Sequence, residues 1–395
     1  MAFSFFAWTT IALVVLTWVG YPLLLHVLVA VWGRRGTDMG TDVADGRPPS
    51  LTLLIAAHNE AAVLEQKLEN SLALDYPADR LEILVASDGS SDRTVEIARL
   101  FASRDARVRV YDGAGAGKTA TQNAAVALAT GDIVVFTNAD TMLQPDALAF
   151  MTSHFADESV GCVAARILWK DPTRSQTGAG TSFYWSFEQM LWSLESALGV
   201  LAWAPGACMA VRRSLFEPMN PDFGEDVVLP IQLAGRGARV VYEPRAVAIE
   251  QAHREAGAEF RVRTRMVLRS FAGTMAGLRE LPWRSAWTVG LVVLVHKVFR
   301  WLTPYFLGLG LVASLGLAIV AGDLLSLSLL GAQLAIYAMA TAGWLMDRVG
   351  LPAVPPLTWV YYFMLSVLAS GLGVARAVRG ERMGRFGPEI GEGLG

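Results

Sequence analysis

Twenty-eight consecutive residues, 5 to 32, contain no Asp, Glu, Lys or Arg. Wound as a helix at ~1.5 Å per residue, such a run exceeds the ~30 Å hydrocarbon layer of a bilayer and crosses it with room to tilt. A signal peptide fits poorly, because the run is too long and has neither a basic segment before it nor a small-residue cleavage site. Arg34 and Arg35 follow at once, so the positive-inside rule predicts that the next segment is cytoplasmic.

The last third repeats the pattern, with apolar stretches near 285–301, 304–322, 325–346 and 357–375, separated by Thr303-Pro304, Gly322-Asp323 and the loop DRVGLPAVPP. Four C-terminal spans are expected. An even number keeps Arg376, Arg379, Arg382 and Arg385 on the cytoplasmic side, although the first stretch, with His296, Lys297 and Arg300 near three tryptophans, also suits the headgroup plane. A chain 53% hydrophobic and only 17% charged leaves one polar insert of domain size between these spans. The net charge of −3 argues against nucleic acid as a partner of the whole molecule, because binding its backbone needs a basic footprint. Nine Lys or Arg against three Glu between Arg254 and Arg300 nevertheless make a local basic belt suited to lipid headgroups or a diphosphate. Cys162 and Cys208 have no ligand spacing and read as buried apolar residues in a reducing compartment.

From about 50 to 250 the insert alternates β-rich runs with helical ones: LTLLIAA, AAVLEQKLENSLAL, LEILVAS, RTVEIARLFAS, VRVYD, TATQNAAVALA, DIVVFTN. That alternation predicts an α/β domain with a mainly parallel sheet, whose ligands gather at the carboxyl ends of the strands. His58, Asn59 and Glu60 follow the first strand, Asp88 the second, and Asn138-Ala139-Asp140 the fourth. Ser91-Asp92 reads as a helix cap, leaving the Asp88 carboxylate free for a base or ribose hydroxyl. The run GAGAGKT ending at Thr119 is not a phosphate loop, because G-x-x-x-x-G-K-T needs Gly where Asp112 stands; Lys118 remains as a cation for a diphosphate or as a plain helix-start lysine. Asp140 suits a hard divalent cation, Mg2+ or Mn2+, whose shell phosphate and water complete. Glu225-Asp226 stand at a predicted helix N-terminus, where the macrodipole favours the ionised form required of a base.

Taken together, the blocks LLIAAHNE, VASDGSSDRT, GKTATQNAAVALATGDIVVFTNADT, PGACMAVRRSLF, GEDVVLPIQLAGRGARVVYEPRAVAIE and EFRVRTRMVLR resemble the family 2 inverting glycosyltransferases of GT-A fold. HKVFRWLTPYF extends the resemblance to the membrane-bound branch related to cellulose, hyaluronan and poly-N-acetylglucosamine synthases. The resemblance implies that Ala57, Glu60 and Asp88 hold the uridine of a UDP-sugar, with Lys118, Asn138 and Ala139 also on the nucleotide and Asp140 on the metal. It further implies Asp226 as general base, Gly206, Ala207 and Glu225 beside donor sugar and acceptor, and Arg265 and Arg269 beside the diphosphate. Two positions depart from the pattern. The D-x-D motif begins with Asn138, and Q-x-x-R-W of processive synthases reads Val262-Arg263-Thr264-Arg265-Met266, keeping only the Arg. The aromatic stretch Phe183, Tyr184, Trp185, Phe187, Trp192 and Trp203 reads either as a sugar platform or as packing.

The expected organisation is an N-terminal span (1–35), a cytosolic glycosyltransferase domain (36–253), a basic interfacial segment (254–284), a C-terminal membrane region (285–378) and a cytosolic tail (379–395). The expected partners are a UDP-sugar, a lipid-linked or surface-glycan acceptor, and membrane lipids. A processive β-glycan synthase and a non-catalytic nucleotide- or lipid-binding membrane protein are the alternatives.

Overall fold

The computed structural model describes residues 2–33, 47–170, 176–251, 256–352 and 354–381. The flanking arginines Arg34, Arg35, Arg382 and Arg385 lie outside them. In chain order the elements are α1 (Ala2–Trp32), β1 (Leu51–Ala57), α2 (Leu64–Leu72), β2 (Leu81–Ser87), α3 (Thr94–Arg104), β3 (Val108–Asp112), α4 (Lys118–Leu128), β4 (Ile133–Asn138) and β5 (Met142–Leu143). There follow α5 (Ala147–Ser153), β6 (Val160–Lys170), α6 (Gln176–Leu198), β7 (Cys208–Arg212), α7 (Glu225–Gly235), β8 (Arg239–Gln251), α8 (Ala256–Glu280), α9 (Trp283–Ala321), α10 (Leu324–Arg348) and α11 (Pro355–Val378).

One eight-stranded sheet runs β3-β2-β1-β4-β7-β6-β8-β5. Its first four strands are parallel, as expected, but β7 lies antiparallel to both β4 and β6, and β5 antiparallel to β8. The sheet is therefore mixed. The α/β expectation holds, because β1 is buried along its whole length and alternates between two cores. Leu51, Leu53 and Ile55 face a layer that includes Leu64 and Leu68 of α2 and Ala98 of α3, while Leu54 joins Ala125 of α4, Trp192 of α6 and Leu229 of α7.

Register decides which residues meet. Ala57 pairs with Ser87, Ala56 with Asn138, and Thr137 with Cys208. Because β7 is reversed, its start lies beside the end of β4, and the Gly206-Ala207 turn joins the carboxyl edge where His58, Asp88 and Asn138 stand. Pairing of Met142 with Ile249 carries the far end of β8 to the same edge.

Four helices are long and apolar enough to cross a membrane: α1, α9, α10 and α11. The C-terminal region thus has three such helices among the described residues, not four. The expected break at Thr303-Pro304 is absent, and α9 runs for 39 residues through Pro304. Wide turns at Ala286–Gly290 and Leu294–Val298 precede it. A packed neighbour accommodates the proline: Gly371 of α11 leaves room against its ring. The first half of α9 is docked on the domain, since His296 and Lys297 bond Glu188 of α6. Residues 256–280 of the basic segment form one continuous helix, α8, clamped between α7 and α11 rather than lying free, with Gly277 against Ile231 of α7 and Gly373 of α11 against Val267.

Candidate active site

The β1 and β2 turns are stitched together before any ligand arrives. Asn59 takes φ 56°, a left-handed conformation open to Asn at modest cost, and its Oδ1 accepts the Ser91 N–H at 2.8 Å. The Glu60 N–H donates to Thr94 Oγ1 at 2.8 Å, and Asp92 Oδ1 caps α3 by accepting the Thr94 N–H at 2.9 Å. The Asp92 cap stands as expected. Asp88 does not stay free: its buried Oδ1 accepts the Gly117 N–H at 3.0 Å and the Thr121 hydroxyl at 2.7 Å. Asp88 therefore pins the glycine-rich turn onto the sheet edge. Gly89 is required there, because at φ 67° an added Cβ would stand 2.8 Å from the Gly115 nitrogen.

That turn delivers Lys118 into a carboxylate cluster. Its Nζ donates to Asn138 Oδ1 at 2.8 Å and lies 2.5 Å from Glu225 Oε1. Glu225 and Asp226 open α7, and Gly206 packs on both: a Cβ at 206 would stand 3.1 Å from Glu225 Oε1 and 3.3 Å from Asp226 Cβ. Burial pushes Glu225 up, but the charges of Lys118 and Arg269 outweigh it and hold this carboxyl below its usual range. Asp226 goes the other way. Burial and then the Glu225 charge raise it to about 6, so the helix macrodipole does not dominate as the sequence suggested. Arg269 of α8 acts on both acids and keeps its Nε buried without a hydrogen-bond partner. Arg265, one turn earlier on the same helix, is half-buried.

Asp140 is exposed at the mouth of the cleft, beyond buried Ala139. Its charge reaches two other acids. Glu60 rises to about 7 through burial and then Asp140, and Glu250 rises to about 7 for the same two reasons. Glu250 accepts the Thr141 hydroxyl at 2.7 Å and lies 3.5 Å from Asn138 Nδ2. Beneath them Lys67, wholly buried, donates to Thr137 Oγ1 at 3.1 Å and to the Thr141 carbonyl, and burial lowers it to about 8. The fit to a divalent cation is good: mutually repelling carboxylates around an exposed Asp140 are relieved by positive charge. Among the described residues no three His, Cys, Asp or Glu close around one point, so such an ion would need oxygens from a ligand and water.

Sequence reading missed Glu250 and Lys67. The available signal for Glu250 was an acid at the end of a strand; for Lys67, a cation inside an amphipathic helix gave none. The expected residues Ala57, Glu60, Asp88, Lys118, Asn138, Ala139, Asp140, Gly206, Ala207, Glu225, Asp226 and Arg269 do share one sheet edge and its facing helices.

Residues 52–219 match the model of Glycosyl transferase family 2. The chain carries a family 2 glycosyltransferase domain. The domain resembles a probable glycosyltransferase, YdaM, of Bacillus subtilis (strain 168), with 30% identity over 220 residues, 51% of each chain. An N-acetylglucosaminyltransferase of Sinorhizobium fredii (strain NBRC 101917 / NGR234) is 28% identical over 60% of this chain and 61% of its own. A poly-beta-1,6-N-acetyl-D-glucosamine synthase of Staphylococcus aureus (strain COL) is 26% identical over 61% and 60%. The chain thus spans about half to three fifths of the length of these relatives. Among solved structures, the mannosyltransferase PcManGT of Pyrobaculum calidifontis, in complex with GDP-Man and Mn2+, superposes with a TM-score of 0.70 at 23% identity, covering 95% of this chain and 99% of its own. The family 2 domain and its helices share that fold across nearly the whole chain.

Proposed function

We propose that the chain is a metal-assisted inverting glycosyltransferase that moves a sugar from a UDP-sugar to a lipid-linked or surface-glycan acceptor at the inner face of the membrane. The observation that carries this reading is Asp226: a buried-edge carboxylate, raised to about 6, packed on the Gly206 turn beside Arg269. A base near this value is ionised at neutral pH yet retains affinity for a proton, the compromise that general-base catalysis requires. Glu225, held ionised by Lys118, keeps Asp226 raised and orients the cation toward Asn138.

In this mechanism the acceptor hydroxyl attacks the anomeric carbon as the C–O bond to the diphosphate breaks, and Asp226 takes the hydroxyl proton. Lys118, Arg269 and Arg265 are the cations available to the departing diphosphate. Asp140, with Glu250 and Glu60 nearby, would hold Mg2+ or Mn2+, which would supply further charge neutralisation. Ala57, Glu60 and the second oxygen of Asp88 are assigned to the nucleoside, and Gly206-Ala207 to the sugar. PcManGT carries GDP-Man, so the donor test compares UDP- and GDP-sugars.

A processive β-glycan synthase is the second reading, favoured by the Staphylococcus aureus relative's name and opposed by exposed Met266 where the processive signature has Trp. We assign the domain to the cytoplasmic face of a multi-pass protein. Three C-terminal crossings would put Arg376 and Arg379 on the opposite side, so α11, the most buried of the four membrane-length helices, is read as docked on α6 and α8 instead of crossing. Purified protein incubated with a panel of nucleotide sugars and membrane lipid extract should release UDP and yield products of one or a few sugars. Absence of nucleotide release with every donor would support the non-catalytic alternative.

A further inference from the structure

A second group of buried charges lies behind the catalytic cleft, between α1, α6, α8, α9 and α11. Arg263, Lys297 and Arg300 line one cavity with Glu188, which lies 2.9 Å from Lys297 Nζ; Arg263 pairs with Glu259 at 3.1 Å and donates to the Tyr362 hydroxyl at 2.8 Å, and His296 is held between Glu188 at 3.0 Å and Glu195 at 2.7 Å. These three cations are 8%, 7% and 5% exposed. Arg300 lies 2.7 Å from Glu188 Oε1 without hydrogen-bond geometry, and its Nη2 has no partner; neither has the Nε of Arg263 or the hydroxyl of Ser366. Each cation has a carboxylate beside it, so what the cavity wall leaves unsatisfied is a set of donor atoms, and a buried donor without an acceptor is costly because its desolvation is not offset. Aromatic faces cover the cations partially, with Trp203 4.1 Å from Lys297 Nζ and Tyr184 4.2 Å from the Arg263 guanidinium.

The cavity measures about 60 Å3, room for a group of a few heavy atoms and too small for a whole lipid. Its chemistry asks for an anion with several acceptor oxygens, which guanidinium forks bind best. Its walls point to the source. Trp18 and Trp301 come from α1 and α9, two of the membrane-length helices. The cavity also adjoins the chemistry: Trp203 precedes Gly206 by three residues, and Ser270 follows Arg269 directly.

We propose that this cavity binds the terminal phosphate of a lipid, a phosphomonoester such as phosphatidic acid carries and phosphatidylcholine does not, and so seats a phosphate-bearing lipid as the acceptor beside Asp226. The acceptor role rests on the glycosyl-transfer reading above; the phosphate site does not. The full chain in detergent, free of nucleotide, is titrated with dioleoyl phosphatidic acid, dioleoyl phosphatidylcholine or inorganic phosphate, and bound ligand is counted by native mass spectrometry. Wild type should retain one phosphatidic acid in preference to phosphatidylcholine. Arg300→Gln should weaken that retention at least tenfold. Ser366→Leu, which fills the cavity and leaves every charge in place, should do the same in a chain whose thermal unfolding is followed in parallel. The proposal is overturned if wild type shows no preference, if Ser366→Leu or a folded Arg300→Gln retains the lipid as wild type does, or if inorganic phosphate binds here and phosphatidic acid does not. No donor enters the measurement, so loss of glycosyl transfer as the function would leave its result intact.

Discussion

Lys118 Nζ lies 2.5 Å from Glu225 Oε1, joining the start of α4 to the start of α7 across the cleft. The contact separates two adjacent carboxylates, one held ionised and the next raised to about 6. Removing the cation removes a favourable charge from both. In Lys118→Met the acid limb of the rate profile should therefore move to higher pH, because both folded-state pKa values rise. An unchanged acid limb in kcat/KM against pH would show that Lys118 does not tune the pair.

Glu60 and Glu250, each near 7 against a usual 4.5, bind protons more tightly folded than unfolded. Their contribution to stability is fully present below about pH 4.5 and is lost as pH rises through about 7. Mn2+ favours their ionised forms, so at pH 7 its binding should release protons and raise the melting temperature. Calorimetry in buffers of different ionisation enthalpy measures the release; a buffer-independent enthalpy would contradict it. Asp140→Ala should abolish both the release and metal-dependent nucleotide binding.

Gly206→Ala places a methyl group 3.1 Å from Glu225 Oε1 and 3.3 Å from Asp226 Cβ. Displacing the pair should lower kcat by about tenfold or more, as small misplacements of reacting groups do. Nucleotide affinity, measured by calorimetry, should stay within about twofold, since Glu60 and Asp88 belong to the other side of the sheet edge. Equal losses in both would mean that the turn supports the whole fold.

The parallel half of the domain was legible because β1, β2 and β4 are continuous apolar runs ending in polar residues, and a strand's end is visible in sequence. The reversed β7 was not, since strand direction follows from pairing partners and not from local pattern. For the same reason Glu250 stayed hidden: its place beside Asn138 depends on the β5–β8 pairing, far apart in the chain. Asp88 was placed correctly and given a ligand, whereas its first partners are Gly117 and Thr121. The fused α9 escaped notice because a proline reads as a break unless its packed neighbours are known.

The account stands most directly on Asp226 as the group that accepts the hydroxyl proton. Asp226→Asn keeps the shape of the site and removes the proton acceptor, so donor binding by calorimetry should match wild type while sugar transfer falls by about 10²- to 10⁴-fold. Transfer by the purified variant within tenfold of wild type, on the donor that wild type uses, would contradict it.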